Sequence, residues 1–150
     1  MPAPTHSLFL AAPPGLEPLL AEEAREAGFP DPEPQPGGVL TRGDWSDIWR
    51  ANLVLRGAGR VLVRMGAFHA VHLAQLDKRA RRLDWASVLA PGQPVRVDAT
   101  CQRSRIYHQG AAAQRIARAI ADAVGAPVEP DAPVRVLARI VEDFCTVSLD

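Results

Sequence analysis

Between Gln102 and Arg118 the chain gathers Arg103, Arg105, Tyr107, His108, Gln109, Arg115 and Arg118. Arginine grips a phosphate through two parallel N–H donors. Tyrosine can stack on an unpaired base, and glutamine can bond a base edge or a ribose 2′-hydroxyl. The segment falls between an expected strand and the start of an expected helix. There the first N–H groups lack partners and the helix dipole favours an anion. The competing reading is a solvated strand end with Tyr107 packed into the core. A second basic run, Lys78-Arg79-Ala80-Arg81-Arg82, makes one helical turn of positive charge. Lys78, Arg79 and Arg82 would extend the same polyanion surface if their helix shares a face with 103–118, since phosphate contacts add through counterion release. Otherwise the run is a solvated helix face partly neutralised by Asp77 and Asp84.

The rest of the chain sharpens that contrast. Its 17 basic and 17 acidic residues balance, but not locally. Residues 1–55 carry three basic against eight acidic side chains, a net of −5. Residues 56–119 carry twelve against three, a net of +9, and residues 120–150 return to −4. A basic block inside a neutral chain suggests a localised polyanion patch. No Ser–His–acid constellation suggests a hydrolase. His69-Ala70-Val71-His72 has no carboxylate or cysteine at ligand spacing, so no metal is expected. Cys101 and Cys145 are too few and too far apart for a disulfide framework and read as buried structural thiols. The opening Met1-Pro2-Ala3-Pro4-Thr5-His6 lacks the pattern of a secretory signal, and no apolar run spans a bilayer. The expectation is a reduced, cytoplasmic protein without a membrane segment.

Hydrophobic periodicity supplies the scaffold. Residues 7–12 read as a short strand. A helix follows with Leu16, Leu19, Leu20, Ala24 and Ala27 on its core face, tolerating Pro18 in its first turn and stopping at Gly28. The proline-rich 30–38 stretch reads as turns or a poor edge strand, and 39–41 as a brief strand. Asp44 should cap a helix whose Trp45, Ile48, Trp49 and Leu53 share a packed face, with a further strand over 61–65. That order, β-α-β-β-α-β, is ferredoxin-like. Beyond Met65-Gly66 come helices over 70–83 and from Asp84, the latter packing Trp85. An alternating strand follows from Val95 to Gln102, then a helix over 110–124 cored by Ile116, Ile120 and Val124. A hairpin turned at Glu142-Asp143 closes the series. The second half is thus α-α-β-α-β-β. The expectation is an α/β (α+β) chain of two domains, residues 1–66 and 67–150.

Three stretches give the chain a family likeness: Leu8-Phe9-Leu10-Ala11-Ala12-Pro13-Pro14-Gly15-Leu16-Glu17, Trp49-Arg50-Ala51-Asn52-Leu53-Val54-Leu55-Arg56, and Ser104-Arg105-Ile106-Tyr107-His108-Gln109-Gly110-Ala111. With them it resembles the N-terminal region of bacterial THUMP-containing RNA methyltransferases. Such enzymes transfer methyl groups from S-adenosylmethionine to guanine N2 in ribosomal or transfer RNA. The resemblance implies a ferredoxin-like domain followed by a THUMP RNA-binding domain. The family's glycine-rich cofactor loop and Asn/Asp-Pro-Pro-aromatic motif have no counterpart here: the only Pro-Pro is Pro13-Pro14, and Gly57-x-Gly59 follows a helix without a third glycine.

The expectation is therefore a chain without catalytic residues or a cofactor of its own. It would capture ribosomal or transfer RNA for a downstream catalytic domain, an intramolecular partner using S-adenosylmethionine and expected after residue 150. The alternative is an interaction module that docks that domain without touching RNA, to which the acidic first half lends itself. On the first reading, replacing Arg103 and Arg105 together by alanine weakens RNA binding without unfolding the chain.

Overall fold

The computed structural model describes residues 6–150, so Met1–Thr5, the stretch read against a secretory signal, lies outside the described residues. The chain divides into two compact units, Met1–Arg64 and Met65–Asp150.

In the first unit, β1 (His6–Ala11) leads to α1 (Glu17–Glu26), β2 (Glu33–Gln35), β3 (Gly38–Gly43), α2 (Trp45–Val54) and the start of β4 (Arg60–His69). The strands pair antiparallel in the order β2-β3-β1-β4, with Leu8 opposite Thr41 on one side and Val63 on the other. This is the expected β-α-β-β-α-β arrangement. The proline-rich stretch gives only the three-residue edge strand β2, where the missing N–H of Pro34 does least harm. Asp44 caps α2 as its type and place suggest. Its side chain accepts the Asp47 N–H, and the Asp47 carboxylate accepts the Asp44 N–H in return.

The expected core face is met in part on α1, through Leu20 and Ala24, and is largely exposed on α2. On α1 the buried residues are Leu20, Ala21 and Ala24, while Leu16 and Leu19 are exposed. On α2, Ala51 is fully buried, whereas Trp45 is exposed, Trp49 is 74% exposed and Leu53 is 82% exposed. Trp45, Trp49 and Leu53 fall at i, i+4 and i+8, and Ala51 lies on nearly the opposite face, about 160° from the centre of that stripe. Tryptophan's bulk marked the wrong stripe as core. Trp45 instead lies against His6, with ring centroids 5.0 Å apart.

The second unit holds the end of β4, then α3 (Leu73–Ala80), a single 3₁₀ turn (Trp85–Ser87), β5 (Val95–Gln102), α4 (Gln109–Val124), β6 (Val134–Val141) and β7 (Phe144–Leu149). β5 and β6 are parallel and joined through α4, and β6 and β7 form the hairpin turned at Glu142-Asp143. Ile116, Ile120 and Val124 are buried as their spacing predicts. Trp85 is 1% exposed, and its indole N–H donates to the Ala80 carbonyl at 2.9 Å. Unlike its two companions it is a core tryptophan.

Several boundaries differ from the sequence reading: the helix expected over 70–83 is confined to Leu73–Ala80, and the strand expected over 39–41 runs Gly38–Gly43. β4 runs on to His69 instead of ending at Met65. Gly66 is no break. A Cβ there would come within 2.5 Å of Leu83 Cδ2, so the glycine admits a close approach inside a continuing strand.

The cysteines sit on neighbouring register positions: Ile140 of β6 pairs with Cys101 on one side and Cys145 on the other. They are therefore two strand spacings apart, roughly 9.5 Å, beyond disulfide reach. Burial and the neighbouring Cys101 push the Cys145 thiol up to about 12, and burial raises Cys101 as well. At pH 8 only about one Cys145 in ten thousand would be thiolate. Iodoacetamide should leave Cys145 unmodified in the folded chain and label it once urea unfolds the protein; mass spectrometry of the two samples checks this.

Candidate nucleic-acid interface

The second unit brings the starts of two helices to one cleft. His72 is the N-cap of α3 and accepts the Gln75 N–H at Nδ1 (3.1 Å). His108 is the N-cap of α4 and accepts the Ala111 N–H at Nδ1 (2.9 Å). The Gln75 side chain reaches back past the cap and accepts the Val71 N–H at 2.9 Å. An Nδ1 that accepts carries no proton, so each ring holds its hydrogen on Nε2 as an outward donor. The helices also run in the same direction. Asp77 of α3 meets Arg115 of α4, and one turn on Arg81 meets Asp122. Their positive dipole ends thus add at the same place.

Val71, His72, Leu73, Arg105, Ile106, Tyr107 and His108 line this cleft, about 310 Å³ in volume. Ile106 is buried and anchors the wall, while Arg105 and His108 are exposed. Tyr107 is 82% exposed, so the reading that packs it into the core is wrong. Among the described residues the Arg105 guanidinium and the Tyr107 ring have no side-chain partner. An apolar floor, an open aromatic ring, a cation and two helix N-termini suit a nucleotide whose phosphate meets the positive end.

The remaining residues singled out from the sequence scatter around this centre. Arg103 takes a left-handed backbone (φ 47°) and lies 3.6 Å from Glu142. Both partners are about 70% exposed, so the pair is worth roughly 0–1 kcal/mol and exchanges readily for a phosphate. Removing Arg103 would also release Glu142 from its pair, which makes Arg105→Ala the cleaner single test. Gln109 uses its side-chain oxygen on the Cys101 N–H at 3.1 Å, leaving only its NH₂ for a ligand. Arg115 is held by Asp77 at 3.2 Å. Arg118, Lys78 and Arg82 are exposed and have no side-chain partner among the described residues. Arg79 turns back to the His69 carbonyl. The basic run therefore sits at the far end of α3 from the cleft, about 12 Å along an eight-residue helix. The cleft's other wall, Val71–Leu73, was missed from the sequence. The signal that marks it is His72 three residues before Gln75, the N-cap and N3 positions of α3.

Asp77 is the structural hub behind the cleft. Burial raises its carboxyl, but hydrogen bonds from Arg81 and Arg115 outweigh this and hold it below the usual carboxylate range. A depressed folded value means that its contribution is complete above about pH 4 to 5 and fades as acid protonates it through the folded value. Its side chain is 16% exposed. Asp77→Asn should therefore lose about 1–2 kcal/mol at pH 7, with the difference from wild type shrinking below pH 4. Urea titrations at several pH values check both the loss and its direction.

Comparison with known proteins assigns a domain family to each half of the chain. Residues 7–62 match the RlmL ferredoxin-like domain, and residues 70–150 match the THUMP domain. The Ribosomal RNA large subunit methyltransferase K/L of Methylococcus capsulatus is 36% identical over 118 residues, 79% of this chain but 16% of that protein. A crystal structure of a predicted N6-adenine-specific DNA methylase from Listeria monocytogenes superposes with a TM-score of 0.89 at 26% identity, over 98% of this chain and 40% of that one. SMU.472, a putative methyltransferase complexed with SAH, superposes with a TM-score of 0.87 at 24% identity, over the whole of this chain and 42% of that one, a likeness of fold. The chain thus spans well under half the length of each. No helix of the described residues is long and apolar enough to cross a membrane, and no group of three or more potential metal ligands is found among them. With more than half its length matched by that domain, the chain belongs to the THUMP family, its THUMP domain preceded by a ferredoxin-like domain of the RlmL type.

Proposed function

We propose that the chain is the RNA-capturing part of an RNA methyltransferase, and that the cleft between the starts of α3 and α4 is where the RNA backbone is held. The observation that carries this is the meeting of two helix N-termini, an exposed Arg105 and an exposed Tyr107 at one cleft. Arg105 and the helix ends hold phosphate, Tyr107 stacks on an unpaired base, and Arg103 exchanges Glu142 for phosphate on binding. Lys78, Arg82 and Arg118 add long-range attraction, while Arg115, Gln109 and Arg79 chiefly hold the site together. The relatives' names support ribosomal RNA of the large subunit as the substrate, with transfer RNA as the other candidate. Methyl transfer to guanine N2 from S-adenosylmethionine would fall to a catalytic domain in the same polypeptide, acting in the cytoplasm.

Gel shifts with large-subunit ribosomal RNA fragments, transfer RNA and DNA of matched sequence test the reading. RNA should bind with a strong salt dependence and ahead of DNA; equal binding of RNA and DNA, or none, overturns it. The exposed Trp45, Trp49 and Leu53 on α2 favour a second role for the first unit, docking the catalytic domain. Trp49→Ala should then leave RNA binding by this chain within about twofold of wild type, the ordinary scatter of a surface change.

A further inference from the structure

The β6–β7 turn places an acidic residue, Asp143, beside the proposed polyanion site. Asp143, the second residue of the β6–β7 turn, bonds Arg105 in one wall of the cleft and Ala70, the residue just before the other wall, without lining it. Its carboxylate Oδ1 accepts the Arg105 N–H at 2.8 Å. Its own N–H donates to Ser104 Oγ at 3.0 Å, and that hydroxyl donates to the Gln102 carbonyl at 2.7 Å. Its carbonyl accepts the Ala70 N–H at 2.9 Å, one residue before Val71 and two before His72. Beside it, the Glu142 N–H donates to the Gln102 carbonyl at 3.1 Å. Three bonds from one residue thus fix the segment bearing Arg105 and Tyr107 and the segment leading into the His72 cap.

We propose that Asp143 is a positioning residue for the RNA site, joining the β5–α4 loop to the start of α3 so that Arg105, Tyr107 and His72 converge on one ligand. This rests on the RNA-binding reading above. The backbone explains why an acidic residue is used. Glu142 and Asp143 both take left-handed conformations, with φ of 51° and 66°. That is the pattern of a type I′ hairpin turn, which favours Asn, Asp and Gly. Of these three, Gly lacks a side-chain acceptor for Arg105. Asp and Asn both supply one, and Asp adds a charge that strengthens the bond to a backbone N–H.

That choice separates position from charge. Removing a carboxylate beside a polyanion site should tighten RNA binding if charge alone mattered, and Asp143→Asn and Asp143→Gly remove the same charge. Only Asp143→Gly removes the acceptor, and glycine suits the turn, so the hairpin is kept. Binding of fluorescein-labelled large-subunit ribosomal RNA fragments to the full 150-residue chain is compared for both variants and Arg105→Ala. Asp143→Asn is expected to bind as tightly as wild type or tighter. Asp143→Gly is expected to bind about five- to tenfold more weakly, the worth of one lost hydrogen bond. Ser104→Ala, which cuts the tie from the other side, should weaken binding in the same sense. Amide exchange without RNA reads positioning directly: the Arg105 N–H should exchange faster in Asp143→Gly than in Asp143→Asn. Equal affinities for the two Asp143 variants, or an unchanged Arg105 amide in Asp143→Gly, overturn the proposal. If Asp143→Gly matches Asp143→Asn while Arg105→Ala weakens binding, only the positioning role fails. If wild type and Arg105→Ala both fail to bind RNA, the RNA reading falls and this role falls with it.

Discussion

Trp85→Ala is expected to destabilise the second unit by about 3–5 kcal/mol, the usual cost of truncating a fully buried aromatic side chain. Trp85 is 1% exposed and lies beneath α4, and its indole N–H satisfies the Ala80 carbonyl at the end of α3. Truncation would open a cavity behind both helices whose starts form the cleft. Trp85→Phe separates the two contributions, since it keeps most of the volume and loses the N–H donor. It should cost about 1–2 kcal/mol, the hydrogen bond plus a small packing defect. Amide exchange of β6 in each variant reports on the second unit alone. Trp45 and Trp49 remain as fluorescent reporters of the first unit, which should keep its unfolding midpoint. A loss in Trp85→Ala below about 1 kcal/mol would show that the turn is looser than its burial implies.

The second large effect is on binding. Arg105→Ala combined with Tyr107→Ala should weaken RNA binding by roughly 2–4 kcal/mol, at least about 30-fold. Both side chains are exposed, so the double variant should melt like wild type. That separates it from Trp85→Ala, where binding is lost because the scaffold is lost. The singles should differ in kind. Arg105→Ala removes a phosphate contact and flattens the salt dependence. Tyr107→Ala removes a stacking surface and should leave the salt slope in place. Tyr107→Phe keeps the ring and should bind nearly as well as wild type. If Tyr107→Phe and Tyr107→Ala lose affinity equally, the hydroxyl rather than the ring makes the contact.

Element order and local signals were legible in the sequence because they are local. The Asp44 cap, the helix cored by Ile116, Ile120 and Val124, and the Glu142-Asp143 turn each depend on residues within a few positions of one another. Which stripe of an amphipathic helix is buried depends on what it meets. Two exposed tryptophans on α2, and the exposed Leu16 and Leu19 at the start of α1, show that size and apolarity do not decide that alone. The cleft was half legible. Arg105, Tyr107 and His108 announced themselves by type, but their companions Val71, His72 and Leu73 lie more than thirty residues earlier and reach them only through packing of α3 on α4. Charge along the chain misled in a similar way. The basic block of residues 56–119 is partly consumed by Asp77, which holds Arg81 and Arg115 together, so linear density overstates the charge free to meet a phosphate.

The central claim is that a phosphate backbone is held at the α3–α4 cleft. It is tested most directly by measuring the affinity of the 150-residue chain for large-subunit ribosomal RNA fragments across a range of salt concentrations, for wild type and Arg105→Ala. Wild type should show log K falling linearly with log salt, and Arg105→Ala should bind more weakly with a slope flatter by about 0.9 or less, one phosphate contact. Identical lines for the two proteins, or a wild-type affinity that does not change with salt, would contradict it.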